Sequence, residues 1–276
     1  AEGAPTVVNW DEAYKAAPTP DQQKYRALKR RLDEIEATHP GAPRRAMALV
    51  DKPQPAEPVV FRRGNPGNRG EKVRRQFLEI LEGKERKPFE QGSGRLELAQ
   101  AITRPENPLT ARVIVNRVWQ QHFGAGLVRT PADFGLRSEA PTHPELLDHL
   151  AAWFVQEGWS LKKLHKLLMS SAVWQQSSAV RADAEERDPE NRLLWRMPRH
   201  RLDFEGLRDA LLAASGELDL RMGGQPVEIT TRDYAIRRTV YGMIERQNLP
   251  GLFRTFDFAS PDVTSAQRFQ TTVPQQ

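Results

Sequence analysis

The sequence predicts a mainly α chain with a small β component: an irregular helical domain with an N-terminal helical arm and a loop-rich C-terminal part. Three observations carry this expectation. Apolar residues recur at three- and four-residue spacing in several separate segments. Only short runs alternate in the way half-buried strands do. And 21 prolines and 18 glycines punctuate the remainder, which keeps the regular elements short.

The arm comes first. Tyr25, Leu28, Leu32 and Ile35 place one narrow apolar face on a helix over Asp21–Thr38, which ends before Pro40-Gly41. Its remaining faces are charged, so the arm is expected to lie against the body or a partner. Two β-type runs follow, Ala46–Val50 and Val59–Arg62. A polar loop runs from Gly64 to Gly70 and lacks the Lys-Ser/Thr of a phosphate loop. Arg95–Ala101 reads as a short helix. Asn107 as N-cap and Pro108 at the first helical position open a longer one, which runs to Phe123 and stops at Gly124 and Gly126.

On that helix Ala111, Ile114, Val115, Val118 and His122 share one face. Arg112, Asn116, Arg117 and Gln120 share another, with Trp119 at the border. Thr142 and Glu145 have the spacing of a capping box ahead of Leu146, Leu147, Leu150, Trp153 and Phe154. Ser160 caps a third helix bearing Leu161, Leu164, His165 and Leu168. The connection at Gly158-Trp159 is short, so residues 107–171 are expected to form one small bundle. Arg181–Glu190 reads as a charged linker. Asp203 then opens a helix with Phe204, Leu207, Leu211 and Ala214, closed by Gly216. Arg238–Ile244 alternates enough for a strand. From Leu249 the chain is mostly loop, anchored by Phe253, Phe256, Phe258 and Phe269.

Composition narrows the function classes. No window reaches the roughly 20 apolar residues of a membrane span, and mean hydropathy is −0.65. The chain has no cysteine, so it holds no disulfide, Cys-ligated zinc or covalently attached c-type haem. The formal charge is +5, but Lys and Arg are spread along the chain instead of gathering in one stripe, which disfavours a nucleic-acid role. Neither an HExxH motif nor a short His-x-His pair is present, so no metal site is expected.

Three residues have a chemical reading. Asp133 follows the Arg/Asn helix and could supply one carboxylate of a hydrolytic pair. It could equally cap its loop, paired to Arg129 or Arg112. His143 lies at a helix start, where its ring could face solvent. Ser160-Leu161-Lys162-Lys163 matches Ser-x-x-Lys at a helix start, but no partner motif follows. Arg112, Asn116, Arg117, Trp119 and Gln120, with Arg129, have the composition of a surface for a carbohydrate or an acidic ligand. Forked guanidinium and amide donors would lie beside an indole platform. The same residues could instead brace nearby loops through backbone carbonyls.

Several long stretches carry a resemblance. NPLTARVIVNRVWQQHFGAGLVRTPADFG, GWSLKKLHKLLMSSAVWQQSS, RLDFEGLRDALLAASGELD, RRTVYGMIERQNLP, FDFASPD and QRFQTTVPQQ resemble, in that order, the planctomycete-specific family catalogued as domain of unknown function 1553, or PSD1. The resemblance covers about Phe61 to Gln276. It implies a mainly helical fold, with residues 1–58 as linker and arm and 59–276 as the domain. That domain would have a helical core over about 95–178 and a second part over about 195–276. It also implies the C-terminal portion of a larger exported, extracytoplasmic protein, here truncated at both ends. The upstream domains of the same polypeptide would be its partners, and one of them can carry haem c; this chain itself holds no cofactor. No catalytic residue transfers. The expected role is binding or structural coupling. A hydrolase acting on polysaccharide or ester substrates is the alternative, and nucleic-acid binding a second one.

Overall fold

Two helices are the regular elements described in the first of two units into which the chain divides, Ala1–Glu57 and Pro58–Gln276. The computed structural model describes residues 10–39, 48–268 and 270–271. Helix α1 spans Trp10–Ala16 and α2 spans Thr19–Thr38. They meet at Pro18, whose carbonyl receives the Asp21 and Gln22 amides, and the Tyr14 and Tyr25 rings sit 5.4 Å apart. The predicted stripe Tyr25, Leu28, Leu32 and Ile35 is exposed. Of the expected run Ala46–Val50, residues 46–47 lie outside the described residues and 48–50 form no strand.

The second unit begins with a β-hairpin. Strand β1, Val59–Phe61, pairs antiparallel with β2, Arg69–Lys72, through one register irregularity. The expected glycine loop is therefore shorter than predicted, because Arg69 and Gly70 already belong to β2. The reversal places Arg63 and Gly64 at positive φ. Two short helices follow, α3 at Glu79–Glu82 and α4 at Arg95–Thr103.

The main core lies where α5 (Thr110–Phe123), α6 (Pro144–Gln156), α7 (Leu161–Met169) and α8 (Ala172–Gln175) pack together. Val115, Phe123, Leu127, Leu147, Phe154 and Leu164 are its most buried apolar side chains. Two of the predicted helix starts change. Asn107 sits ahead of a turn, not at the N-cap of α5. Its Oδ1 accepts from the Leu109 amide, and its Nδ2 donates to the carbonyls of Ala101 and Ile102 at the end of α4. No capping box opens α6. His143 holds the N-cap position, and the Thr142 amide is used instead on the Leu127 carbonyl at 2.9 Å. Ser160 caps α7 as expected.

The buried face of α5 is also rotated from the predicted one. Ala111, Val115, Trp119 and Phe123 point inward at four-residue spacing, and Asn116 goes in with them, fully buried. Its amide makes two bonds with one residue of the following loop: Nδ2 donates to the Val128 carbonyl at 2.9 Å, and Oδ1 accepts from the Val128 amide at 2.8 Å. Gly126 is required beside this clamp. A Cβ there would lie 2.5 Å from the Val128 oxygen and 2.6 Å from Asn116 Nδ2.

The charged linker contains one short helix, α9 (Ala182–Arg187). Helix α10 (Phe204–Ser215) starts on Asp203, whose Oδ1 accepts from the Gly206 amide, and ends at Gly216 with φ of 79°. It organises a smaller core of Phe204, Ile229, Leu249 and Phe253. Its buried face again differs from the predicted stripe, since Leu212 is buried and Leu211 exposed. Arg208 lies between Phe204 and Leu212 on that face. It donates to the carbonyls of Ala235 and Arg237 and to the Thr239 hydroxyl, while the Asp209 carboxylate accepts from the Thr239 amide and hydroxyl.

That clamp explains why Arg238–Ile244 is not the predicted strand. Thr239–Tyr241 is drawn into a single 3-10 turn, leaving isolated bridges at Arg237 and Gly242. A last helix, α11 (Gly251–Thr255), lies within the expected C-terminal loop and places Phe253 in the small core. Phe269 lies outside the described residues. With eleven α-helices and one two-stranded sheet among the described residues, the chain is mainly α with a small β component.

Two substitutions test the clamp. Asn116→Leu strands both polar groups of Val128 in an apolar core and is expected to cost about 2–4 kcal/mol in urea unfolding. A change below about 0.5 kcal/mol, the range of ordinary surface substitutions, would show that the clamp carries no weight. Gly126→Ala is expected to cost about 1–3 kcal/mol by overpacking, since backbone and a bonded amide must both yield. A neutral result there would mean the loop relaxes freely.

Candidate functional site

The loop after α5 and the segment that leads into α10 face one another across a cleft. On the first side Phe123 ends the helix, Gly124 turns the chain at φ of 79°, and the loop returns through Leu127 and Val128 into the core. On the second side Asn191, at φ of 52°, folds its own segment: its Nδ2 donates to the Arg196 carbonyl, and its Oδ1 accepts from the Arg196 amide. Trp195 Nε1 donates to the Asp188 carbonyl, and Gln176 donates to that of Leu194, so this wall is held from behind. Each wall is thus fixed by one buried asparagine that substitutes for a ladder of backbone bonds.

The two sides touch at Gly124 and His200. A Cβ on Gly124 would collide with the His200 ring. The cleft has a volume of about 440 Å³ and is lined by Trp119, Gly124–Leu127, Arg129, Arg192, Arg196, Arg199 and His200. Past His200 it borders a second cavity of about 650 Å³, lined by Gln120, Gln121, Arg201, Gln267, Arg268 and Gln270. These volumes lie in the range of small-ligand sites.

The predicted ligand residues do not form one surface. Trp119 and Arg129 line the first cavity and Gln120 the second. Trp119 is 5% exposed and packs on Phe123 with centroids 4.2 Å apart. Arg129 pairs with Glu190 at 2.9 Å, and Gln120 donates to Gln267 at 2.8 Å. Asn116 is committed to Val128. Arg112 bridges to Asp148 at 2.7 Å and to the Pro108 carbonyl, which holds the Asp148 carboxyl below the usual carboxylate range. Arg117 is exposed and lines neither cavity.

The three chemical candidates lie apart. The Asp133 carboxylate accepts from the Gly135 amide at 2.7 Å and so closes its own turn. It pairs with neither Arg129 nor Arg112, and it borders a separate cavity of about 870 Å³ near Arg254 and Asp257. Ser160 accepts from the Lys163 amide, while the Lys163 side chain is turned to Glu157 at 2.5 Å. His143 Nδ1 meets Thr142 Oγ1 at 3.0 Å. Among the described residues no group of three or more His, Cys, Asp or Glu could hold a metal. No described helix is long and apolar enough to cross a membrane.

Sequence reasoning missed the second wall, Asn191 to His200. Its signal was available in the run Arg196-Met-Pro-Arg-His-Arg201, directly before the capping Asp203. It also placed His122 and His165 on separate apolar stripes. They meet instead: His122 Nε2 lies 2.8 Å from His165 Nδ1, and Trp174 stands edge-on to His122 at 5.0 Å. Burial, then the charge of His165, pushes the His122 pKa down. Burial also pushes His200 down, opposed by a hydrogen bond to the His122 main chain.

A mainly helical module with an open, arginine-lined cleft is the class that this fold and site define. The chain belongs to the family described as Protein of unknown function (DUF1553), which matches residues 94–276 and so spans both cores and both walls of the cleft. No curated protein and no solved structure matches the chain.

The lowered histidines set a pH dependence. The unfolded chain takes up a proton near the ordinary value of 6.5, whereas folded His122 and His200 do so only at lower pH. Their contribution is intact above 6.5 and is lost as pH falls through 6.5 toward the lowered values. The melting temperature is expected to fall between about pH 7.5 and pH 5, and to fall less in His122→Gln and His200→Gln. An identical fall in both variants would assign the effect to other groups.

Proposed function

We propose that this chain is a binding or structural-coupling module of a larger extracytoplasmic protein, and that it works through the Gly124–His200 cleft. One observation carries the reading. Asp133 closes its own turn, Ser160 caps its own helix and Lys163 is paired with Glu157, while two separately clamped loops border a polar cleft. Rigid, pre-formed walls favour binding, because little conformational entropy is lost when a ligand arrives. A hydrolase would need a nucleophile or a carboxylate pair converging on one cavity. Asp133, His143 and Ser160 are each used locally, and no cavity described above is lined by two of them.

The reading is tested with the chain alone on nitrophenyl glycosides and nitrophenyl esters. No turnover above buffer is expected, with the same result for Asp133→Asn and Ser160→Ala. Clear turnover abolished by either substitution would replace this reading with the hydrolase.

A further inference from the structure

We propose that the Gly124–His200 cleft takes an oxyanion-bearing ligand, a carboxylate or a phosphoryl or sulfuryl ester, held by Arg196 and Arg199 and by the backbone amides of Ala125 to Leu127. The inference rests on the reading of the cleft as a binding site and names the chemistry it selects.

Charge is the first support. Four arginines line the cleft against a single lining carboxylate, Glu190. Arg129 is neutralised by Glu190, and Arg192 by Glu139 at 3.0 Å. Among the described residues neither Arg196 nor Arg199 has a carboxylate partner, so two positive charges remain at the site. Arginine suits an oxyanion because its weakly hydrated fork meets two oxygens through parallel bonds.

Unmet hydrogen bonding is the second support, and it is independent of charge. Arg196 Nε is buried with no acceptor, although its guanidinium lies over the Trp195 ring at 5.1 Å. The amides of Ala125, Gly126 and Leu127, on the facing wall, donate to no acceptor among the described residues. Buried donors without acceptors are uncommon. Successive free amides in a cleft that also bears guanidinium groups offer the kind of concavity in which anions settle.

Preorganisation is the third. Asn116 and Asn191 each fix the path of one donor-bearing loop, and the absent side chain of Gly124 leaves room beside His200. The donors are therefore in place before a ligand arrives.

Calorimetry on the full chain tests this with three probes: trigalacturonate, inorganic phosphate and the neutral sugar maltotriose. Binding of at least one charged probe is expected, weakening as salt rises from about 50 to 200 mM, with maltotriose silent. Arg196→Met/Arg199→Met is expected to weaken binding at least about tenfold, and Gly124→Ala to weaken it similarly by driving into His200. Arg117→Gln, exposed and away from the cleft, is expected to change nothing. Arg199→Gln alone, on an exposed residue, serves if the double variant unfolds. Preference for trigalacturonate assigns the anion to a carboxylate polymer, and preference for phosphate to a small ester. Binding indifferent to the arginines, or no charged probe bound below about 1 mM, overturns the inference. Maltotriose bound and then lost in Gly124→Ala would overturn only the anion chemistry and leave the cleft reading standing. Silence from every probe together with turnover abolished by Asp133→Asn or Ser160→Ala would remove both.

Discussion

The double hydrogen bond between Asn116 and Val128 is the constraint on which the rest of the domain depends. A fully buried amide inside an apolar core is costly unless all its groups are used. Here its donor and acceptor each meet a complementary group on one residue. Once Val128 is fixed, Leu127 is fixed beside it in the core, and the Leu127 carbonyl receives the Thr142 amide at the approach to α6. One side chain on α5 therefore sets the loop, the entry to the next helix and one wall of the cleft. Gly126 is the accommodation this requires.

The second half of the domain repeats the device with charged groups. Its apolar core is small, and few of its segments are regular, so backbone carbonyls need partners that no ladder supplies. Arginines meet that need. Arg208 serves the Ala235 and Arg237 carbonyls, and Arg237 serves those of Arg221, Gly223 and Gln225. Carboxylates hold the C-terminal segment in the same way. Glu205 on α10 takes Arg268 in a two-bond pair, and Asp257 joins Arg201 to Thr271. Many of the chain's arginines are thus structural, and those lacking such partners in the cleft stand out against that background.

The asparagines at the cleft follow from the same logic. Asn191 does for the segment before α10 what Asn116 does for the segment after α5. Each wall is an irregular loop, yet each is tied by two hydrogen bonds from one buried asparagine. A cleft between loops of this kind can keep donors in place without closing on itself, which is the property a binding module needs.

Capping and turn chemistry were legible in the sequence. Ser160, Asp203, Gly124 and Gly216 mark the ends of helices because their preferences act locally, through one side-chain bond or one positive φ. The long motifs were sufficient to recognise the family. The stripes of α6 and α7 were legible too, but the rotation of α5 and α10 was not. Periodicity counts polar residues as outward, whereas Asn116 and Arg208 lie on the inward faces because their partners come from segments 12 and 27 to 31 positions away. Such pairing turned a predicted strand at Arg238 into a clamped turn, and the packing of α5 against α7 brought His122 to His165. Local propensity determined where α7 and α10 begin and where α5 and α10 end. Only the tertiary structure decided which polar groups are buried, since a buried donor is tolerable solely where the fold delivers its acceptor.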